Sequence, residues 1–195
     1  MCLRIMCRVT MLSMLAVTML SLLFPPPLWA RPGGSGEGPG ERRYREKSSG
    51  TFVNSPTDTN QDGIPATLSL VTGRSNMGRL TGHTLGELAP AIPTGACAAN
   101  ELELQFVSGV GIKYFTRGDV LVLAPTSSVL CAAADGTGVF VNQGIFQSHG
   151  STGRFAGVPG TWETHGQVTG LVINPLGLAE IGTIAFTIEG TLILP

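Results

Sequence analysis

From Ala66 onward the apolar residues repeat with a period of two, which indicates strands, and not with the period of about 3.6 that indicates helices. The last segment follows this pattern most clearly, because threonines and Glu189 occupy the other parity. Its apolar parity consists of Ile184, Phe186, Ile188, Leu192 and Leu194. We therefore predict a final strand with one buried face and one solvated face.

The same alternation predicts earlier strands over residues 66–72, 78–88, 101–106, 110–115, 119–123, 139–148 and 161–168. Residues typical of turns separate these segments. The result is an all-β prediction: a single antiparallel closed β-barrel of about eight strands over residues 58–195. A sandwich is the alternative, and we favour the barrel because closure removes the exposed edges that apolar strands would otherwise present.

Two of these strands carry more specific predictions about their faces. In 101–106 the apolar residues form a dry face, and Glu101, Glu103 and Gln105 form a wet face. The segment Val120–Leu123 is apolar on both parities, so we expect both of its sides to be covered. The cover would be a loop, an elongated neighbouring strand or a partner subunit in a homo-oligomer.

Composition agrees with a β-protein. Of the 195 residues 43% are hydrophobic and only 13% are charged, and the chain contains 27 glycines. Soluble domains average roughly 25% charged residues and about 7% glycine, so this balance favours turn-rich β-structure over helical bundles. The hydrophobic fraction is large enough to build a core, which excludes disorder of the whole chain.

Residues 1–30 have the features of an export signal peptide. Arg4 and Arg8 precede a long uncharged apolar run, and Ala30 is a small residue suited to cleavage. The run of about 16 residues is shorter than the ~20 needed to cross a bilayer, so we predict no stable membrane span after cleavage. The expected localisation is secreted or periplasmic. Residues 31–57 are rich in glycine and arginine with little to bury, so we predict a disordered linker.

Charge and cysteine content narrow the class of partner. Without the leader the chain has 10 basic and 13 acidic residues, which offers no basic field for nucleic acid. Only Cys97 and Cys131 remain outside the leader. In an oxidising compartment such a pair is more often a disulfide than a metal site, and we predict the disulfide, with two free thiols as the alternative.

A calcium loop is a candidate metal site. Asp58, Asn60 and Asp62 alternate and are followed by Gly63, which matches the first half of a calcium-binding loop. The twelfth position is Ser69 and not the carboxylate that completes such loops. Aspartate, asparagine and glycine also form ordinary turns, so calcium is the only cofactor we consider and a plain turn is its alternative.

Other chemistry-bearing residues are dispersed. His83, His149 and His165 lack the short spacing of a zinc site. Asp119 and Glu180 are the carboxylates best placed for a concave site, because each shares parity with apolar residues of its strand. Their alternative is a strand end that meets water. No catalytic residue is assigned.

The segment Gly150–Thr161 is a glycine-rich loop between strands, where we expect Phe155 to pin the turn to the core. Arg154 could neutralise an anion there, or pair with a neighbouring carboxylate. Thr152–Gly160, with the closing segment Phe186–Leu192, resembles the signature of the allene oxide cyclase and dirigent-protein barrels. The turn Asp58–Gly63 ahead of the barrel is similar to that of exported bacterial members of unknown activity.

The resemblance implies a barrel and not a particular activity. Allene oxide cyclases cyclise an unsaturated fatty-acid epoxide in an apolar barrel, and dirigent proteins hold phenoxy radicals for stereoselective coupling. We expect a secreted, non-catalytic barrel that binds a small hydrophobic ligand or assembles with copies of itself. The alternatives are an enzyme of the cyclase or dirigent type and a calcium-stabilised extracellular structural module.

Overall fold

A computed structural model describes residues 40–58 and 60–194. It contains eight strands: β1 (Gly40–Asn54), β2 (Thr67–Ser75), β3 (Gly78–Pro90), β4 (Leu102–Phe115), β5 (Val120–Ala132), β6 (Gly138–Gln147), β7 (Gly160–Ile173) and β8 (Ala179–Leu194). Each strand pairs antiparallel with the next, and β8 pairs with β1. The predicted all-β closed barrel is confirmed. Residues 1–39, which hold the predicted signal peptide and the start of the linker, lie outside the described residues. Within the described part of the chain, no helix has the length and hydropathy needed to cross a bilayer.

The predicted disordered linker is wrong over residues 40–54, because these residues form β1. Tyr44, Glu46, Ser48 and Phe52 are buried on one parity, and the residues of the other parity between them are exposed. Arginines and a lysine on the outer parity, with two polar residues on the inner one, hide the alternation in the sequence. Pairing with β2 on one side and β8 on the other supplies the stabilisation that composition alone does not indicate. The barrel domain therefore includes Gly40–Asn54, which precede the predicted start at residue 58.

Two strands continue through positions where the sequence predicts turns. The separate segments 101–106 and 110–115 form the single strand β4, and β5 continues through Pro125 to Ala132. Proline is tolerated there because the ladder between β5 and β6 shifts register between Pro125 and Ser127. Both strands therefore continue through the glycine and proline residues that suggested turns.

The core is divided into two clusters along the barrel axis. One cluster lies at the end closed by the glycine-rich loop, which we call the glycine-loop end; it contains Tyr44, Leu80, Phe115, Leu121, Leu123, Phe146, Phe155, Val158, Trp162, Ile188 and Leu192. The other lies at the opposite end, which we call the disulfide end; it contains Phe52, Val71, Leu104, Leu130, Ala132, Val168, Leu171, Ala179 and Ile184. Five of the strands supply residues to both clusters, so burial at both ends depends on barrel closure.

Loops cover the outer face of the wall at two places, of which only Val120–Leu123 was predicted to be covered. Val122 lies on the outer face of the barrel wall and is buried there. Its backbone N–H donates to Ser151 Oγ at 3.0 Å, so the glycine-rich loop is the cover expected for Val120–Leu123. On β4 the loop that carries Cys97 lies over Glu103, whose carboxylate accepts hydrogen bonds from the backbone N–H and the hydroxyl of Thr94. The prediction that Glu103 lies on a wet face is therefore wrong, since the residue is 2% exposed.

Candidate functional site

The barrel interior holds a buried ion pair. Lys113 Nζ lies 2.8 Å from Glu46 Oε1, and their side chains are 3% and 0% exposed. Tyr44 donates its hydroxyl to Glu46 Oε2 at 2.6 Å, and Ser48 donates to Oε1 at 2.5 Å. The carboxylate therefore accepts three hydrogen bonds, which offset the cost of removing it from water.

Alternation and small neighbours bring these side chains inward. Glu46 shares the inner parity of β1 with Tyr44, and Lys113 shares the inner parity of β4 with Phe115. Glycines on the two intervening strands leave the necessary space. A β-carbon at Gly73 of β2 would overlap Ser48 Oγ, and one at Gly82 of β3 would lie 2.8 Å from Lys113 Cδ.

Burial and the adjacent carboxylate change the acidity of Tyr44. Desolvation is the main cause that raises the pKa of this phenol well above its usual value, and the negative charge of Glu46 raises it further. The phenol thus remains a neutral hydrogen-bond donor to Glu46 over the physiological pH range. Together Tyr44, Glu46, Ser48 and Lys113 form what we call the interior polar cluster.

An apolar cavity of about 150 Å³ lies beside this cluster, between the two halves of the core. Aromatic and aliphatic side chains form most of its wall: Phe52, Val71, Leu88, Phe106, Leu123, Leu130, Phe140, Trp162, Val168, Ile184, Phe186 and Ile188. A few polar side chains face it as well, and these are Thr67, Ser69, Thr84, Lys113, Ser128, Asn142 and Thr164. The combination of an apolar wall with few polar groups is typical of a small-molecule site.

Lys113 is the charged group of the cavity wall. Its Nζ lies 5.0 Å from the centroid of the Phe186 ring, a cation–π contact. Among residues 40–58 and 60–194, Glu46 supplies the one oxygen that accepts a hydrogen bond from this ammonium, which has three N–H donors. The site can therefore offer a further N–H to an acceptor atom of a bound molecule.

The carboxylates favoured by the sequence do not line the cavity. Asp119 lies under the glycine-rich loop, where Oδ1 accepts the backbone N–H of Arg154 at 3.2 Å. Arg154 Nε and Asp119 Oδ2 form an ion pair at 3.0 Å, but their geometry does not meet that of a hydrogen bond. The Arg154 guanidinium also makes cation–π contacts with the rings of Phe115 and Phe155. Pairing of Arg154 with a neighbouring carboxylate and the pinning of the turn by Phe155 are both confirmed.

The remaining candidates lie on the surface. Glu180, His83, His149 and His165 are exposed, and His165 Nε2 lies 2.8 Å from Glu163 Oε1. The structure brings none of these residues together with Asp119, so they do not form a common site. The predicted disulfide between Cys97 and Cys131 is confirmed, and it ties the loop before β4 to β5.

The candidate calcium loop forms a network of hydrogen bonds within itself. The Asp58 carboxylate accepts hydrogen bonds from the backbone N–H groups of Gln61, Asp62 and Gly63. These bonds lower the pKa of the carboxyl, and the bond from Gly63 has the largest effect. Asn60 Nδ2 donates to Asp62 Oδ2 at 2.9 Å. These oxygens are the ones that calcium would need, and calcium binding here stays a prediction.

Sequence reasoning missed the interior polar cluster. Glu46 was assigned to the linker, and Lys113 lies in a segment that was interpreted through its apolar residues alone. A usable signal was present, because Lys113 has the same parity as Gly111 and Phe115, and Glu46 has the same parity as Tyr44 and Phe52. No protein family, curated protein or solved structure matches the chain in comparisons with known proteins.

Proposed function

We propose that the protein is a non-catalytic binding barrel, whose cavity takes a small, uncharged, largely apolar molecule that carries one hydrogen-bond acceptor. The observation that carries this proposal is the cavity of about 150 Å³ with the Lys113 ammonium in its wall. We further propose that the barrel is exported. The disulfide is compatible with an oxidising compartment, and the leader-like sequence of residues 1–30 supports export.

Cavity size sets the size of the ligand. An apolar cavity of about 150 Å³ in a protein interior can hold a molecule as large as benzene. Drug-sized ligands occupy pockets of roughly 300–1,000 Å³. A single aromatic ring with a short substituent therefore matches the cavity, whereas a long acyl chain requires the barrel to expand.

Charge sets the polarity of the ligand. Glu46 and Lys113 neutralise each other, so an anionic ligand would leave a net negative charge in an apolar interior. A neutral carbonyl avoids this cost and accepts an N–H from Lys113. Such a hydrogen bond to a charged donor contributes about 1.5–3 kcal/mol, or roughly ten- to a hundredfold in affinity.

Three probes of similar size separate these contributions: acetophenone, its hydrocarbon analogue cumene, and benzoate. Trp162 lines the cavity, and a Trp29→Phe background leaves it as the single tryptophan reporter. We expect saturable quenching by acetophenone, binding of cumene that is roughly ten- to a hundredfold weaker, and no binding of benzoate. Absence of saturable binding for all three probes would contradict the proposed function.

A matched variant assigns the preference to the ion pair. In Glu46→Gln with Lys113→Met both charges are removed by unbranched side chains of similar volume, so the cavity keeps nearly the same shape. We expect acetophenone and cumene to bind this double variant with similar affinity. A preserved preference for acetophenone would place the donor elsewhere, at Ser128 or Asn142 for example.

An enzyme of the cyclase or dirigent type is the second candidate. The resemblance to those barrels supports it. So does the interior polar cluster, in which Lys113 lines the cavity and donates to the carboxylate of Glu46, which also accepts from the Tyr44 phenol. Product analysis after incubation with an unsaturated fatty-acid epoxide, or with oxidatively generated phenoxy radicals, tests it. A change in product stereochemistry relative to the Glu46→Gln and Lys113→Met variant would favour catalysis.

Self-assembly and calcium stabilisation concern the outer surface. Val139, Val141 and Ile145 form an exposed apolar row on β6, which supports contact between copies of the chain. Light scattering over a range of concentrations tests this, and a monomer at high concentration would exclude it. The calcium-stabilised module rests on Asp58, Asn60 and Asp62, and melting with and without chelator tests it.

A further inference from the structure

We infer that ligands reach the cavity through the side wall of the barrel, between β4 and β5. This inference rests on the proposed function, because it concerns access to the same cavity. It predicts a portal whose rim consists of Val107 and Val110 on β4 and of Pro125, Thr126 and Ser127 on β5.

The β4–β5 ladder is interrupted at this place. It pairs Leu102–Gln105 with Val129–Ala132 and Gly111–Tyr114 with Val120–Leu123, whereas no ladder pair joins Phe106–Val110 to Ala124–Ser128. The register is the same on both sides of the interruption. The two strands therefore lose their ladder pairing over a short stretch and regain it in the same register, and we call this interruption the β4–β5 gap.

At the level of the gap, each of the two strands also has a β-bulge in the ladder with its other neighbour. The β3–β4 register shifts between Glu87 and Leu88, which leaves Val107 without a β3 partner. The β5–β6 register shifts between Pro125 and Ser127, which leaves Thr126 without a ladder partner on β6, although its hydroxyl donates to Gln143 O at 3.2 Å. Bulges occur often next to functional sites because they bend a strand locally. Here the two irregularities face each other across one gap.

The cavity lies directly behind this gap. Five of the residues that line it flank the interruption: Phe106, Gly111, Leu123, Pro125 and Ser128. On the outside, Val107 is 41% and Val110 is 37% exposed, which gives the rim an apolar surface. Glu87 accepts a hydrogen bond from Ser108 beside this rim, but Glu87 is fully buried. An uncharged molecule can therefore pass from solvent to the cavity along exposed side chains that carry no charge.

Both ends of the barrel are filled. Phe155 and Val158 close the glycine-loop end, and both are fully buried. Leu104, Ala132, Leu171 and Ala179 fill the disulfide end. None of these six residues lines the cavity. A molecule that entered along the barrel axis would have to displace one of the two core clusters.

The competing route is the rim at Thr67, the first residue of β2, which also lines the cavity. Hydrogen bonds hold the chain together at that rim. Thr67 Oγ1 donates to Gly86 O at 2.9 Å, and Ala66 exchanges backbone hydrogen bonds with Ser55 and Thr57. Opening there would break several hydrogen bonds, whereas the β4–β5 gap has no ladder bonds to break.

Blocking the rim after folding tests the portal directly. We would label Val107→Cys with a bulky maleimide in the folded protein, on a background that carries Trp29→Phe, Cys2→Ser and Cys7→Ser so that the introduced cysteine is the only thiol outside the disulfide. Two labelled controls are Thr187→Cys on the exposed face of β8 and Ile64→Cys beside the competing rim. Stopped-flow quenching of Trp162 by acetophenone then gives the association and dissociation rates.

We expect the label at Val107 to slow association and dissociation by the same factor, at least about tenfold. Kd should not change, because a barrier on the entry path does not alter the free energies of the free and bound protein. Labels at Thr187 and Ile64 should leave both rates unchanged. Slowing by the Ile64 label without slowing by the Val107 label would overturn the inference in favour of the rim at Thr67.

A second measurement does not depend on ligand binding. Acrylamide, a small uncharged quencher, reaches the cavity face of Trp162 through the portal, and it reaches the other side of the ring from an open surface pocket beside Gln143 and Glu163 whether or not Val107 is labelled. We expect the Val107 label to lower its quenching constant relative to the Thr187 label. Failure of acetophenone to bind together with a lowered quenching constant would refute the proposed function and retain the portal; an unchanged constant would refute the portal.

Discussion

Lys113 and Glu46 are 67 residues apart in the chain, and their side chains meet at 2.8 Å inside the barrel. They come from β4 and β1, which are not neighbours in the sheet, so the ion pair crosses the barrel interior. The pair therefore reports on closure of the whole barrel and not on one strand contact.

Removal of one partner should be costly and removal of both should not. We expect Lys113→Met to lower the free energy of unfolding by about 3–5 kcal/mol, because Glu46 is left charged in an apolar interior. The double variant Glu46→Gln with Lys113→Met should recover most of this loss. Denaturant unfolding measures both, and a double variant as unstable as the single one would contradict the argument.

The raised pKa of Tyr44 predicts weakening of the fold in alkali. A phenol whose pKa is higher in the folded state binds its proton more tightly there than in the unfolded chain. Its contribution to the free energy of unfolding is complete below the pKa of the unfolded chain, about 10. The contribution is lost as the pH rises toward the pKa of the folded state. We expect the free energy of unfolding to fall above about pH 10. Tyr44→Phe should flatten this dependence, whereas Tyr114→Phe, on the exposed surface, should not.

The glycine-rich loop offers a matched pair of substitutions. Gly153 and Gly157 both have positive φ, at 62° and 74°, but a β-carbon at Gly153 would overlap Asp119 Oδ1 and one at Gly157 would meet no atom within 4 Å. We expect Gly157→Ala to cost about 1 kcal/mol of stability. Gly153→Ala should cost roughly 1–3 kcal/mol more, because it also displaces the Asp119 carboxylate. Equal losses in thermal unfolding would show that the overlap relaxes freely.

The disulfide should stabilise the barrel by restricting its unfolded chain. Cys97 and Cys131 are separated by 34 positions. We expect their joint replacement by serine to lower the free energy of unfolding by roughly 3–4 kcal/mol. Reduction of the unmodified protein provides the control, and its denaturant midpoint should fall by a similar amount. A double serine variant as stable as the oxidised protein would contradict this expectation.

Sequence reasoning succeeded where the two faces of a strand differ in polarity. In β8 the inner residues are large and apolar and the outer ones are threonines, so Ile184 and Ile188 were correctly assigned to the core. In β1 the inner face itself carries Glu46 and Ser48, and the segment then has the composition of a linker. The partners that make these groups acceptable inside, Lys113 and Gly73, are distant in the chain and are not visible locally.

The candidate site depended on the same non-local information. Asp119 was favoured because its strand parity is apolar, yet the glycine-rich loop folds back over it and supplies Arg154 as its partner. Glu180 also has the parity of Ile184, but it lies at the beginning of β8, where the β7–β8 register is irregular, and it faces solvent. Parity alone does not predict which strand ends a loop will cover.

Closure of β1 onto β8 joins the earliest strand of the barrel to its last, with Gly40 opposite Leu194. During synthesis one edge of β1 therefore remains unpaired until nearly the whole barrel sequence has emerged. Unpaired edges attract other chains, and charged side chains discourage this association. Arg43, Arg45 and Lys47 lie along β1 at the required place. The same charges that make this strand resemble a linker in the sequence thus reduce its association with other chains while its edge is unpaired.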